Sequence, residues 1–218
     1  MFLSNIIITL DQDTTSVKYL CQKDKRLAKI ISMIGPITYS THEDPYVFVI
    51  HEIIEQMLSV KVANIIFNRL VDLCDGNICV ESISRLTDCE IKSIGTASSK
   101  VRFIRSITDV IARDPMFFER LKELPDEDVF KSLIAIKGIG PWTAKMYLMF
   151  VLDRQNILPY EDVAFLQAYG WAYKTTDFSP DAVRKKCKKW QPYSSIAARY
   201  MYRALDSGLT KEEFHLFK

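Results

Sequence analysis

Apolar positions recur along this chain at helical intervals, and the breaks between runs carry glycine or proline. Over residues 13–33, Val17, Leu20, Cys21, Leu27, Ala28 and Ile31 follow i, i+3, i+4 spacing, with Ile34 beyond, up to Gly35-Pro36. That pattern predicts one long helix with a glycine stop. Asp44-Pro45 reads as an N-cap followed by proline at the first helical position, opening a helix to about residue 57. Ser59 opens the next helix, whose apolar face is Val62, Ala63, Ile66, Leu70 and Leu73 and which runs to Gly76. Short helices over residues 80–85 and 88–94 follow, the second ended by Gly95. Further helices are predicted from Ser98 or Ser99 to Arg113, from Asp126 to Ile134, and over 141–152, 163–173, 180–189 and 193–205, with a last turn near 211–217. Only residues 6–10 read as a strand. The expectation is an all-α protein of about ten helices.

Composition narrows the class. Seven glycines and eight prolines in 218 residues fall well short of the roughly 12% of average usage, which disfavours a turn-rich all-β fold. With 48% hydrophobic and 26% charged residues the chain is globular. No apolar run approaches the about 18 residues of a membrane span. Residues 1–8 lack a basic segment and soon meet Asp11 and Asp13, so they do not read as a signal peptide. Cys21, Cys74, Cys79, Cys89 and Cys187 are odd in number and scattered, which suits a reducing, intracellular compartment.

The net charge of +2 hides an uneven distribution. Between Val183 and Arg203 lie Arg184, Lys185, Lys186, Lys188, Lys189, Arg199 and Arg203 with no acidic residue, interleaved with Trp190, Tyr193, Tyr200 and Tyr202. Such a stretch reads as a solvated face or as a phosphate-binding surface, with Lys186 the representative contact.

The most informative segment is residues 133–144, Leu-Ile-Ala-Ile-Lys-Gly-Ile-Gly-Pro-Trp-Thr-Ala. A helix ends, Gly138-Ile139-Gly140 turns, and Pro141 starts another helix. Glycine permits positive φ and close backbone approach. Ile139 plugs the turn onto its helices. The backbone N–H groups of Gly140 and of Trp142 onward, at the positive end of the second helix, suit a phosphate. Alone, the turn is also compatible with a plain connection.

Four segments in order give the chain its resemblance to the helix-hairpin-helix/Gly-Pro-Asp superfamily of base-excision glycosylases, and within it to the 3-methyladenine DNA glycosylase II (alkylbase) family. They are Gln56-Met57-Leu58-Ser59-Val60-Lys61-Val62-Ala63, the hairpin from Ile136 to Ala144, Leu158-Pro159-Tyr160-Glu161-Asp162, and Trp190-Gln191-Pro192-Tyr193-Ser194-Ser195-Ile196-Ala197. Together they reach from about residue 45 to 202. The resemblance implies two interlocked helical subdomains with a cleft between them. Residues 36–150 would make the central one, including the hairpin, and 1–35 plus 151–218 the second. The chain starts near the helical part, so no additional N-terminal β-domain is expected.

The same resemblance makes Asp162 the essential carboxylate, spaced three residues after Pro159; the adjacent Glu161 is chemically equivalent. Asp162 also reads as an N-cap for the following helix. A carboxylate near the sugar would stabilise the positive charge that develops as a base–sugar bond breaks. Relatives that also cut the strand carry a lysine where this chain has Trp142, so base removal without strand cleavage is expected; Lys145 lies about a turn further on. Trp142, with Tyr160, Met146 and Trp190, forms the expected pocket for a flipped cationic purine such as 3-methyladenine or 7-methylguanine. Gly138, Ile139, Gly140 and Thr143 are the expected hairpin contacts to DNA, and Met57, or else Leu58, the wedge that fills the vacated stack. The resemblance also implies a structural Na or K ion on the carbonyls of Ile134, Ile136 and Ile139, and no catalytic cofactor.

The expected partner is double-stranded DNA with damaged bases, bound by a monomer, in cytoplasm, nucleoid or nucleus. Against an enzyme stands a non-catalytic helix-hairpin-helix module that senses distorted duplex; a third reading keeps the enzyme but makes oxidised or deaminated bases the substrate. Dispersed His42, His51 and His215 and the C-x4-C pair Cys74/Cys79 do not read as a zinc enzyme. One cysteine beyond the hairpin excludes a four-cysteine iron–sulfur cluster there. No P-loop or serine-nucleophile elbow is present.

Overall fold

The computed structural model describes residues 7–217. In chain order the elements are β1 (Ile7–Leu10), α1 (Thr15–Lys23), α2 (Lys25–Ile34), β2 (Ile37–Ser40), α3 (Pro45–Glu55), α4 (Val60–Leu73), α5 (Val80–Arg85), α6 (Asp88–Ser93), α7 (Ser98–Arg113), α8 (Phe117–Glu123), α9 (Asp126–Ile134), α10 (Pro141–Phe150), α11 (Val163–Tyr173), α12 (Pro180–Cys187) and α13 (Ser194–Asp206). Turns of 3-10 helix cover Lys188–Trp190 and Leu209–Lys211. The protein is all-α, with one two-stranded antiparallel ribbon among the described residues that pairs Ile7 with Ser40 and Leu10 with Ile37.

The differences from the pattern-based expectation have local causes. The single helix expected over 13–33 is two, because Asp24 leaves helical geometry (φ −143°, ψ 102°) and its side chain accepts hydrogen bonds from Arg26 N and Leu27 N, capping α2. Apolar periodicity runs through the break because α1 and α2 bury faces of the same unit. The strand predicted over 6–10 is β1 over its described part, Ile6 lying outside the described residues. Its partner β2, four residues beginning just beyond Gly35-Pro36, was not predicted. Nor was α8, which follows Asp114-Pro115. Ser59 stands at the N-cap of α4 without a side-chain cap bond, and Pro125 rather than Asp126 precedes α9.

Contacts divide the chain into two compact units, one made of Met1–Thr41 with Asp153–Lys218 and the other of His42–Leu152. In the second, α3 packs against α4, α7 and α10. Val49, Ile50, Ile53 and Ile54 have no exposed surface. Each such aliphatic side chain contributes about 1.5–3 kcal/mol on burial, against about 1 kcal/mol for the Asp44 cap that starts the helix. Packing, more than capping, holds α3 in place. In the first unit α13 packs on α11, α2 and α1, with Ile196, Ala197, Tyr200 and Met201 fully buried. No helix among the described residues is long and apolar enough to cross a membrane.

Candidate functional site

The hairpin joins α9 to α10 within the second unit. After α9, Ile136 N donates to Leu133 O and Ile139 N to Ile136 O, both at 3.0 Å. Gly138 has φ +98°, and a Cβ there would lie 2.2–2.7 Å from the side chain of Phe103 on α7. Glycine is therefore needed twice, for conformation and for space. Gly140 differs: its backbone is extended, it caps α10, and a Cβ would meet nothing within 4 Å. The Gly138 and Gly140 N–H groups donate to no group among the described residues. They sit at or just before the positive end of α10, a favourable position for an anion.

Two of the expected DNA contacts have other work. Ile139 is buried and its N–H is used inside the turn, so it anchors the hairpin. Thr143 is buried, and its hydroxyl receives Gln56 Nε2 at 3.3 Å. The same amide donates to Gly138 O at 2.9 Å, tying the hairpin to the segment after α3.

That segment is braced from a third side. Lys100 Nζ, from α7, donates to Ile54 O and Gln56 O, each at 2.7 Å, while burial pulls its pKa down. α3 cannot continue to residue 57 because Met57 takes φ 60°, a left-handed conformation. Met57 is 101% exposed and Leu58 37%. Of the two candidate wedges, Met57 is the one held out from the surface. Lys100 was not singled out from the sequence, and nothing local to it signals that its ammonium reaches a helix terminus 44 residues away.

On α10, Trp142 is half-buried and Met146, one turn on, is buried together with Lys145. In the first unit, Asp162 is 8% exposed and caps α11, with Oδ1 accepting Phe165 N at 2.7 Å, while its own N–H donates to Pro159 O at 3.0 Å. Glu161 beside it is exposed. The loop leading to Asp162 is pinned by Ser195: its hydroxyl donates to Arg154 O at 2.5 Å and accepts from Ile157 N at 2.9 Å, and its N–H donates to Gln155 O at 3.0 Å. Ser194 adds a bond to Asn156 Oδ1 at 2.8 Å. The Trp190–Ala197 element thus acts as a clamp on the Asp162 loop, a role that its sequence did not reveal.

Two expected pocket residues are committed elsewhere. Trp190 is fully buried, with Nε1 donating to Asp24 Oδ2 at 2.9 Å and its ring packed on Phe165 and Tyr173. It is a core residue. One face of Tyr160 is covered by the Arg184 guanidinium, 4.0 Å from the ring centre. The basic stretch is also less uniform than it reads. Arg199 is buried, paired with Asp153 at 3.2 Å and stacked on Tyr39 at 3.8 Å. Lys189 pairs with Asp24 at 3.0 Å. Lys185, Lys186 and Lys188 remain exposed and line a basin of about 740 Å³. For the expected ion, Ile136 O accepts one hydrogen bond and keeps a second lone pair. Neutral carbonyl oxygens such as those of Ile134, Ile136 and Ile139 are the donors a hard cation takes.

Residues 50–192 match the family model of the HhH-GPD superfamily base excision DNA repair proteins. The putative DNA-3-methyladenine glycosylase YfjP of Bacillus subtilis is 30% identical over 162 residues, which cover 71% of this chain and 56% of that protein. The chain thus spans little more than half the length of that relative. The crystal structure of a DNA-3-methyladenine glycosidase from Bacillus halodurans superposes with a TM-score of 0.83 at 29% identity, over 96% of this chain and 97% of that one. The Schizosaccharomyces pombe 3-methyladenine DNA glycosylase Mag1, solved in complex with abasic DNA, shares the fold with a TM-score of 0.80 at 23% identity, over 88% of this chain and 97% of Mag1.

Proposed function

Because the chain belongs to the HhH-GPD superfamily of base excision DNA repair proteins, we propose that it is a monofunctional DNA glycosylase removing alkylated purines, of the 3-methyladenine and 7-methylguanine type, from duplex DNA. The observation that carries this reading is the placement of Asp162. It is a buried carboxylate with its backbone and one oxygen locked by α11, on a loop clamped by Ser195.

The N–H groups of Gly138 and Gly140 hold a backbone phosphate, and Met57 enters the stack as the damaged nucleotide flips out. The hairpin carbonyls of Ile134, Ile136 and Ile139 would hold a monovalent cation, which supplies structural charge at the phosphate. Trp142 offers its ring to the cationic purine, with Met146 beneath it on α10. As the N-glycosidic bond lengthens, its electron pair leaves with the base and positive charge grows on the sugar. The Asp162 carboxylate stabilises that charge and accepts a proton from the water whose oxygen bonds to the anomeric carbon, while the cationic purine departs as a neutral base. A Schiff base with the sugar needs an amine at the Trp142 position, and indole offers none. An abasic site in an uncut strand is the product.

The protein acts as a monomer on double-stranded DNA. Its five free cysteines suit an intracellular compartment. Incubation of methylated duplex with the wild type releases 3-methyladenine and leaves the strand intact, whereas Asp162→Asn lowers release by about 10²-fold or more. Binding without release by the wild type would leave only a non-catalytic module, release of oxidised or deaminated bases instead would move the specificity, and strand scission would overturn the monofunctional reading.

A further inference from the structure

The C-terminal half of α3 carries a cluster that base excision does not use. His51 Nδ1 lies 3.3 Å from Glu52 Oε1 and 3.6 Å from Glu55 Oε2, and one ligand atom from each of the three residues lies within 4.8 Å of the other two. His51 Nε2 faces Asn64 Oδ1 of α4 at 3.3 Å, and Phe67 packs edge-on against the imidazole at 4.9 Å. The side chains retain 27, 9 and 23% of their exposure, so this is a recessed cluster and not a surface ion pair. We propose that His51, Glu52 and Glu55 form a binding site for a first-row divalent cation of the zinc type, with water completing the coordination.

The donor set is one imidazole nitrogen and two carboxylates, the ligands that zinc takes at about 2.0–2.2 Å. At that radius neighbouring ligands of a tetrahedral ion stand about 3.4 Å apart. The separations from Nδ1 bracket that value, and rotation of the glutamate terminal torsions closes the remaining gap. Asn64 supplies the outer partner that ligating histidines keep, its amide oxygen 3.3 Å from Nε2; Nδ1–H, which donates to Glu52 in the metal-free protein, gives up its proton when the cation binds. Cysteine and histidine spacing does not reveal such a site, because two of its three ligands are glutamates on the turn that begins at His51.

The test uses untagged full-length protein, stripped with chelator, titrated calorimetrically with zinc chloride alone and followed by absorption with cobalt chloride. One equivalent binds, and the cobalt spectrum lacks a thiolate charge-transfer band. His51→Asn and Glu55→Gln each abolish binding without changing the melting of the metal-free protein, and Asn64→Ala weakens it about 10- to 100-fold. No saturable binding by the wild type, binding that survives in both ligand variants, or a thiolate band assigning the metal to cysteines would each overturn the site and leave His51 as an ion-pair partner of its glutamates. None of these outcomes depends on glycosylase activity.

Discussion

Asp24 and Asp162 are both buried aspartates, both cap helices in the same unit, and both accept from backbone N–H groups two or three residues on. Their surroundings differ in kind. Asp24 Oδ1 caps α2, while Oδ2 receives the Tyr173 hydroxyl, the Trp190 indole N–H and the Lys189 ammonium. Burial alone would raise its pKa, but those donors outweigh it and hold the carboxyl below its ordinary value. Its bonding draws α2, α11 and the turn of Trp190 together. Asp162 is held by its cap bond to Phe165 and by the Ser195 clamp on its loop. The bonds of Asp24 tie separate elements together, whereas the cap bond of Asp162 sets the carboxylate at the head of α11. The two hairpin glycines repeat the contrast: Phe103 fills the space over Gly138, whereas the space over Gly140 is open.

Exchanging the roles experimentally tests that division. Asp162→Asn retains a capping side chain and loses the charge, so release of alkylated bases falls about 10²-fold or more while the melting temperature stays within a degree or two of wild type, about 0.5 kcal/mol; a large drop in stability would mean that Asp162 is another Asp24. Asp24→Ala does the reverse. Losing the cap and stranding the Tyr173 and Trp190 donors costs about 3 kcal/mol, read by denaturant titration, with activity per folded molecule retained. Because the folded pKa of Asp24 is lowered, its contribution is complete above the ordinary aspartate value of about 3.9 and is lost as pH falls through the folded value. The stability gap between wild type and variant is flat at neutral pH and narrows in acid. Gly138→Ala forces a methyl group against Phe103 and loses about 1–3 kcal/mol, whereas Gly140→Ala shifts stability by less than about 0.5 kcal/mol and weakens duplex binding. Smallest of all, Lys186→Glu weakens binding to every sequence and lowers the salt slope by about one to two; an unchanged slope removes the lysine basin from the interface.

What could be read from the chain was what is local. Helical periodicity, a Gly-Ile-Gly turn before proline, and an aspartate ahead of an apolar helix are written in consecutive residues, so the all-α class, the hairpin and the cap at Asp162 were legible. The break at Asp24 was not, since apolar spacing continues across it and a two-bond cap decides the matter. β2 is only four residues long and gains its meaning from pairing with β1. Trp190 looked available for a ligand because nothing in sequence tells that its indole is consumed by an aspartate 166 residues away. Arg184 over Tyr160 and Lys100 beneath the end of α3 are likewise long-range acts of packing.

The left-handed backbone at Met57 carries strain of about 1–2 kcal/mol for a residue with a side chain. Since Lys100 and Gln56 already hold that turn in the free protein, the tension is settled at synthesis and not at the encounter with a duplex. For the wedge proposed above, the main chain is therefore set beforehand, and only the rotamers of the exposed thioether arm remain to be fixed at a base step. Under that proposal, passage from one base step to the next needs no rearrangement of the backbone that carries the probe.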